Sequence, residues 1–185
     1  MEERSARFGQ KPVTLWITGL AGSGKTTLAY ALERKLFDAG RTAMVLDGQN
    51  MRLGLTKDLG FSKDDRSENI RRSYRVARLL NDAGIISICS FVAPEAEVRQ
   101  RVREGIGDDR FVLIHLSAPI EVCRTRDPRE LYAKADAGEI GNFPGVSAPY
   151  EPPEKADLVL PTHEISVEES VEQVMELLAN RDLIL

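Results

Sequence analysis

The stretch VTLWITGLAGSGKTTLAYALERKLFDAG, residues 13–40, is the part of the sequence that predicts the fold. Its beginning (13–19) is apolar and β-branched, which is typical of a buried strand, and its end (26–40) has the apolar spacing of a helix. Between them, GLAGSGKTT (19–27) matches the pattern G-x-x-x-x-G-K-[ST], with Gly19, Gly24, Lys25 and Thr26 in register. A strand, a glycine-rich turn and a helix in this order predict a phosphate-binding loop.

This loop predicts a site for a nucleoside triphosphate. Backbone N–H groups can wrap a polyphosphate at the start of a helix, Lys25 can reach the β- and γ-phosphate oxygens, and the Thr26 hydroxyl would lie on Mg²⁺. The predicted ATP-binding residues of the loop are Gly19, Ala21, Gly22, Ser23, Gly24, Lys25, Thr26 and Thr27. The motif alone leaves GTPase, motor, kinase and passive binding functions open. The absence of a guanine-specific NKxD motif disfavours a GTPase, and the small size favours a small-molecule kinase.

The rest of the chain continues the alternation of strands and helices. Apolar runs at 42–48, 86–92, 111–118 and 158–162 predict strands, and the periodicity at 67–84, 95–106, 119–126 and 167–179 predicts helices. Ser67 and Gly84 are the predicted caps of the helix over 67–84. Apolar strands that alternate with helices predict an α/β fold, a parallel sheet of the P-loop kinase type covered on both faces.

Composition restricts the function classes. The 185 residues are enough for one domain (1–185), with 42% hydrophobic and 29% charged residues. A net charge of -4 argues against a nucleic-acid binder, and no apolar stretch approaches the ~20 residues that span a membrane. The start, MEERSARFGQ, lacks an apolar signal segment, so we expect a cytoplasmic protein. Cys89 and Cys123 are expected to be buried and reduced.

One segment breaks the alternation. Residues 127–153, DPRELYAKADAGEIGNFPGVSAPYEPP, are rich in glycine, proline and polar residues. Loops of this length in a compact domain are usually functional or disordered. We expect a mobile lid at about 129–150, with a plain disordered loop as the alternative.

A second binding region follows the second predicted strand. LDGQNMRLGL (46–55) places Asp47 at a strand end, where ligands bind in parallel sheets. Downstream lie Arg52, Phe61, Arg66 and Asn69, which offer forked donors for an anion and an aromatic face for a base. For the neighbouring Arg71 and Arg72, a solvated helix face is an equally good interpretation.

These residues resemble the adenylylsulfate kinase (APS kinase) family over about 13–162. The similar segments are GLAGSGKTT, LDGQNMRLGL with the following KDLGFS, DR and ENIRR, SFVAP (90–94), and EVCRTRDPRELYAKADAGEIGNFPGVSAPYE. The resemblance implies transfer of a phosphoryl group from ATP, with Mg²⁺, to the 3′-hydroxyl of adenosine 5′-phosphosulfate (APS). The product is 3′-phosphoadenosine 5′-phosphosulfate (PAPS), for sulfate assimilation. The resemblance also implies a homodimer and association or fusion with ATP sulfurylase.

The resemblance implies roles for individual residues. Asp47 and Lys25 would be catalytic, with Asp47 orienting or deprotonating the 3′-hydroxyl. The other implied ATP-side residues are Arg126, Asp127 and Pro128. The implied APS-side residues are Asp47, Arg52, Phe61, Arg66, Asn69, Lys134 and Phe143, of which the two phenylalanines would sandwich the adenine. Thr26 would be the metal-contacting residue, and Mg²⁺ would arrive with ATP because the sequence has no Cys/His cluster.

Two positions depart from the family pattern. The family usually has Asp-Gly-Asp-Asn where this chain has Asp47-Gly48-Gln49-Asn50, and Ala93 replaces a serine that can be phosphorylated. Glutamine can form hydrogen bonds but cannot act as a base. Two other functions therefore stay open. One is a catalytically weak nucleotide-binding module that regulates ATP sulfurylase, and the other is a kinase of another small nucleotide.

Overall fold

The structure is a computed structural model that describes residues 2–127 and 129–184. Within these ranges the centre of the fold is a five-stranded parallel sheet in the order β2-β3-β1-β4-β5. The strands are β1 (Thr14–Thr18), β2 (Ala43–Asp47), β3 (Ile86–Ser90), β4 (Phe111–Leu116) and β5 (Leu158–Leu160). The predicted parallel sheet is confirmed.

Helices connect the strands. They are α1 (Glu2–Phe8), α2 (Lys25–Asp38), α3 (Lys63–Asp82), α4 (Ala96–Ile106), α5 (Ile120–Thr125), α6 (Leu131–Asp136) and α7 (Val167–Asn180). Short 3-10 helices occur at Asn50–Leu53 and Asp108–Arg110. Among the described residues, no helix combines the length and apolar character needed to cross a bilayer.

The helices cover both faces of the sheet, because successive side chains of a strand point to opposite sides. On one face, α2 and α7 pack with Leu15 and Ile17 of β1, and on the other, α3 and α4 pack around Trp16. The Trp16 ring stacks on Phe91 with 5.0 Å between centroids. All three β1 side chains have 0% exposure, which explains why this strand is apolar at consecutive positions.

Helix α3 begins earlier than the sequence predicted. The prediction placed Ser67 at its N-cap, whereas the helix begins at Lys63 and Ser62 is the N-cap. The Ser62 hydroxyl oxygen accepts a hydrogen bond from the Asp65 N–H at 3.1 Å. Gly84, with φ of 92°, follows the helix end as predicted.

The predicted lid, residues 129–150, contains the helix α6 and part of a separate apolar cluster. Tyr132, Ala135 and Phe143 are buried together with Ala118 and Cys123. The Tyr132 and Phe143 rings meet edge to face, with centroids 5.1 Å apart. The alternative of a plain disordered loop is therefore wrong for the residues of α6, because contacts outside the segment support this helix, while the mobility of the lid stays a prediction.

The first residues of the chain close the opposite end of the sheet. The buried Gln10 side-chain amide donates hydrogen bonds to the carbonyl oxygens of Thr42 and Gly84, and its oxygen accepts one from the Thr42 N–H. Gln10 also forms a β-bridge with Ile184. These contacts hold the segments that lead into β2 and β3, at the amino ends of the strands.

Candidate active site

The phosphate-binding loop lies between β1 and α2, as predicted. Gly22 and Gly24 have φ of 79° and 98°, a conformation that favours glycine. A Cβ on Gly22 would lie 2.4 Å from the Cys123 carbonyl oxygen, so a larger residue would collide with the backbone. Gly24 is the N-cap of α2 and provides no side-chain hydrogen bond to the first-turn N–H groups. The start of α2 is therefore ready to bind an anion.

A cavity of about 790 Å³ extends from this loop along the carboxyl ends of the strands. One wall consists of residues 21–28 of the loop and α2, and the opposite end is lined by Arg52, Phe61, Arg66, Asn69 and Ile70. Asp47 lines the cavity too, and its carboxylate links the two groups, because it bonds to Thr26 of the loop and to the backbone N–H of Gln49, three residues before Arg52. Gly19 does not line the cavity. A Cβ there would lie 2.8 Å from the Leu116 carbonyl oxygen, which shows that Gly19 permits close packing against β4.

Lys25 is buried at the base of the loop. Its ammonium group donates a hydrogen bond to the Leu20 carbonyl oxygen at 2.8 Å. Burial lowers the pKa of Lys25 to about 8, and the nearby Cys123 and Asp47 oppose this shift only in part. The free protein therefore holds this charge at a cost that an anionic ligand would relieve.

The Asp47 carboxylate, at the end of β2, is held at both oxygens. The Thr26 hydroxyl donates to Oδ2 at 2.7 Å, and the backbone N–H groups of Gln49 and Asn50 donate to Oδ1 at 2.9 and 3.3 Å. Strand β3 lies between β1 and β2, yet the hydroxyl at the start of α2 still contacts this acid. The structure thus brings together the loop and the acid that the sequence placed at separate strand ends.

The Thr26 and Asp47 oxygens are of the type that Mg²⁺ prefers, and they lie beside the phosphate loop. In the described part of the chain, no group of three or more His, Cys, Asp or Glu residues could hold a metal by itself. Magnesium commonly binds proteins through one or two oxygen ligands and the phosphates of a substrate. The residues present therefore fit a magnesium ion that arrives with a nucleotide.

The far end of the cavity carries positive charge next to an aromatic ring. The Arg52 guanidinium lies 4.3 Å from the Phe61 ring centroid and donates to the carbonyl oxygens of Leu59 and Gly60. Arg66 lines the cavity, and its guanidinium has no hydrogen-bond partner among the described residues. Both arginines can therefore offer donors to an anionic ligand.

Asn69 presents an unsatisfied acceptor at the same end of the cavity. The residue is 6% exposed, and its Oδ1 has no hydrogen-bond partner in the part of the chain that the structure describes. Buried polar atoms are usually hydrogen-bonded, so this oxygen is available to a donor of a ligand.

The predicted residues that follow α5 are placed in part. Arg126 and Asp127 line the cavity near the loop. The Arg126 guanidinium donates to the Thr162 carbonyl oxygen at 3.0 Å, and Asp127 Oδ2 accepts from the Tyr132 N–H at 2.8 Å. Pro128 lies outside the described residues.

Of the two predicted lid contacts, the structure brings one to the cavity. Phe143 lines the cavity with Ile140 and Pro144, although it is only 8% exposed. Lys134 does not line it. Its side chain is exposed on α6 and donates to the Arg129 carbonyl oxygen at 3.4 Å, because α6 turns this residue toward solvent. A contact between Lys134 and a ligand would therefore require the lid to move.

Two further stretches line the cavity, although the sequence indicated no binding residue in either of them. Residues 90–94 begin with the last residue of β3, and the Ser90 hydroxyl is buried without a hydrogen-bond partner among the described residues. Thr162 follows β5, and its hydroxyl donates to the Ser23 carbonyl oxygen at 2.8 Å. Both stretches include the last residues of predicted strands (86–92 and 158–162), at the carboxyl edge of the sheet, and this position was the available signal.

His115 and the cysteines are part of the packed structure. The His115 and Tyr150 rings stack with 6.3 Å between their centroids. Burial, together with the charge of Arg99, lowers the pKa of His115. Cys89 and Cys123 are free and buried, as expected. None of the three is among the residues that line the cavity.

The cavity combines a phosphate loop and its buried lysine, an acid that is hydrogen-bonded to Thr26 of the loop, and a second, arginine-lined end. This combination defines the class of P-loop kinases. Within this class, the chain belongs to the adenylylsulphate kinase family, whose sequence profile matches residues 11–161. The family that the sequence resembles is therefore confirmed as the family of this chain.

Individual relatives agree with this assignment. The bifunctional enzyme CysN/CysC of Rhodopirellula baltica is 56% identical over 96% of this chain, which spans only 27% of that protein. The adenylyl-sulfate kinase of Shewanella pealeana is 52% identical, with 96% of this chain and 87% of that protein aligned. The structure of the Mycobacterium tuberculosis APS kinase CysC in complex with AMPPNP and APS has a TM-score of 0.87 and 44% identity. The alignment covers 92% of this chain and 99% of that one.

Proposed function

We propose that this chain catalyses ATP-dependent phosphorylation of the 3′-hydroxyl of adenosine 5′-phosphosulfate, giving PAPS and ADP for sulfate assimilation. The observation that carries the proposal is the continuous cavity in which Asp47 lies between the phosphate loop and the Arg52–Asn69 end. A donor nucleotide and an anionic, base-containing acceptor can therefore bind at the two ends with the acid between them. The family to which the chain belongs supports this choice of acceptor.

On the donor side, the free N–H groups at the start of α2 would bind the β- and γ-phosphates, together with Lys25. Arg126, Asp127 and Pro128 would lie near the adenine of ATP, as the resemblance implies. Magnesium, held by Thr26 and Asp47 together with the phosphates, would neutralise charge on the transferring group. The site residues contribute mainly position and charge, which is what phosphoryl transfer requires.

On the acceptor side, Arg52 and Arg66 would bind the phosphosulfate and Asn69 the ribose part of APS. Phe61 and Phe143 would enclose its adenine, and Lys134 would approach it only when the lid moves. Asp47 would accept the proton of the 3′-hydroxyl of APS. The oxygen of that hydroxyl would form the new bond to the γ-phosphorus. The bond from that phosphorus to the bridging oxygen breaks, and ADP leaves with the electron pair.

A turnover assay with ATP, Mg²⁺ and APS tests the proposal. We expect PAPS formation by the wild-type protein and none by Lys25→Ala, with thermal unfolding showing that both proteins are folded at the assay temperature. A folded wild-type protein that binds ATP but makes no PAPS would favour the alternative of a regulatory nucleotide-binding module. Faster phosphorylation of an adenine nucleotide without sulfate would favour a kinase of another nucleotide.

Three further properties belong to the same proposal. We expect a homodimer, a cytoplasmic location, and association or fusion with ATP sulfurylase. The bifunctional relative, of which this chain matches about a quarter, supports the last of these. Size-exclusion chromatography with light scattering would measure the oligomeric state directly.

A further inference from the structure

The Tyr132 hydroxyl connects the lid to the phosphate loop. Tyr132 lies on α6, is 3% exposed, and donates a hydrogen bond to the Ala21 carbonyl oxygen at 2.8 Å. Among the described residues, this is the one side-chain hydrogen bond between residues 129–150 and the loop residues 19–27. The contact joins two segments that are far apart in sequence.

This hydrogen bond determines how one peptide group of the loop is oriented. The structure has no cis peptide bonds in its described part, so the Ala21 carbonyl and the Gly22 N–H point in opposite directions within the plane of their shared peptide group. With the carbonyl fixed toward Tyr132, the N–H is directed away from α6. Gly22 lines the cavity, and its N–H has no acceptor among the described residues. It is therefore a free donor for a phosphate oxygen.

The same tyrosine is fixed from the lid side. Its backbone N–H donates to Asp127, and its ring meets Phe143, which lines the cavity, edge to face at 5.1 Å. The lid also packs directly on the loop, because a Cβ on Gly145 would lie 2.9 Å from the Leu20 side chain. A shift of the Ala21–Gly22 peptide would therefore move Tyr132, and with it Phe143, the lid residue that lines the cavity.

We propose that Tyr132 is a positioning residue that orients the Gly22 N–H toward the nucleotide phosphates and couples nucleotide binding to the acceptor end of the cavity. The coupling part rests on the proposed function, since it takes APS as the acceptor. The orientation part does not, because it concerns only the nucleotide phosphates.

The test uses Tyr132→Phe, which keeps the ring packing and removes only the hydroxyl, with Tyr74→Phe as the matched control. Tyr74 is a partly buried tyrosine on α3 that does not line the cavity. Calorimetry would give the Kd of ADP with and without APS, and the ratio of the two values is the coupling factor. Thermal unfolding would establish that each variant is folded.

We expect wild type and Tyr74→Phe to bind ADP more tightly with APS present. Tyr132→Phe should bind ADP about twofold to tenfold more weakly, the range for one hydrogen bond, and its coupling factor should fall toward one. An unchanged ADP affinity, or an unchanged coupling factor, in folded Tyr132→Phe would overturn the inference. If the wild-type protein binds no APS, the proposed function fails separately, and the ADP affinity still tests the orientation of Gly22.

Discussion

Asp47 shows how much of a site residue can be predicted from sequence. Its position at a strand end next to polar residues indicated an acid at the ligand-binding edge. The sequence could not indicate that the Gln49 residue contributes through its backbone N–H, which donates to the carboxylate whatever its side chain is. The contact depends on the turn after β2, whose geometry is set by the 3-10 helix Asn50–Leu53.

The first prediction concerns Asp47→Asn and Gln49→Asp. Asp47→Asn should lower kcat by at least ~10²–10⁴-fold, because the amide cannot accept the proton of the acceptor hydroxyl. Gln49→Asp should keep or raise kcat, since its backbone N–H still donates to Asp47 and a negative charge is added near the proposed magnesium site. Steady-state kinetics at saturating Mg²⁺ would measure both. A mild Asp47→Asn together with an inactive Gln49→Asp would show that the acid has been placed wrongly.

Arg66 and Arg71 form a matched pair on α3. Arg71 forms an ion pair with Glu68 on the surface, with 2.6 Å between nitrogen and oxygen, whereas Arg66 lines the cavity and its guanidinium has no hydrogen-bond partner among the described residues. Arg66→Ala should weaken APS binding by about 1.5–3 kcal/mol, the range for hydrogen bonds to charged groups, and leave ATP binding nearly unchanged. Arg71→Ala should change neither. Calorimetry that finds equal losses for both nucleotides in Arg66→Ala would place Arg66 elsewhere.

The lowered pKa of Lys25 predicts a pH dependence of nucleotide binding. Above about pH 8 the free protein holds Lys25 neutral, while bound phosphates favour the charged form, so ADP binding should take up a proton. Affinity should therefore fall as the pH rises above 8. Calorimetry at pH 8.5 in two buffers of different ionisation enthalpy would detect this uptake, and identical binding heats would contradict it.

The lowered pKa of Lys25 also makes the free energy of unfolding depend on pH. The unfolded chain keeps this lysine protonated up to a pKa near 10.5, so it binds more protons than the folded chain between pH 8 and 10.5. The contribution of Lys25 to the free energy of unfolding therefore increases with pH over this window.

At the scale of single elements, helix α6 was the main omission of the sequence analysis. It has only a few residues, and isolated helices of that length are unstable in water. Its support comes from distant residues, among them the Ala21 carbonyl and Phe143. Such contacts leave no local periodicity, whereas the long helices α2, α3 and α7 were predicted because their periodicity is local.

The N-cap of α3 gives a direct test of an element boundary. Ser62→Ala should lower the free energy of unfolding by about 1 kcal/mol, because it removes the acceptor for the Asp65 N–H. Ser67→Ala, inside the helix, should change it by less than ~0.5 kcal/mol. Urea unfolding of both variants would measure the difference, and a larger loss in Ser67→Ala would restore the boundary that the sequence suggested.

At the scale of the whole molecule, one end of the sheet carries the cavity and the other end carries contacts that hold the chain segments together. The cavity lies at the carboxyl ends of the strands, and Gln10 joins the chain segments at their amino ends. Gln10→Ala should lower the free energy of unfolding by about 1–3 kcal/mol, because it leaves the carbonyl oxygen of the buried Gly84 and the Thr42 N–H without their hydrogen-bond partner. Turnover should stay the same at temperatures where the variant is folded.

The control for that variant is Gln100→Ala. Gln100 is exposed on α4, and among the described residues its side chain bonds to Glu104 alone, so its loss should cost less than ~0.5 kcal/mol. Urea unfolding together with an APS assay would separate the two effects. Reduced turnover of folded Gln10→Ala would mean that the two ends of the sheet are not independent.

The architecture was predictable and the strand order was not. Alternating apolar strands and helices required a parallel sheet covered on both faces, and the structure confirms this. The order β2-β3-β1-β4-β5 depends on pairings between distant segments, for which a single sequence carries no signal. For the same reason, the sequence indicated the ingredients of the site but not the distances between them.

The central position of β1 has a consequence for the time course of folding. This strand is the first to be synthesised, yet Thr14 finds its register partners only at Ser87 and Phe111. On the ribosome, the apolar side chains of β1 stay unpaired and exposed until the residues of β3 and β4 have been synthesised. The strand that carries the phosphate loop is thus the one exposed longest to wrong partners, and non-local pairing of this kind slows folding.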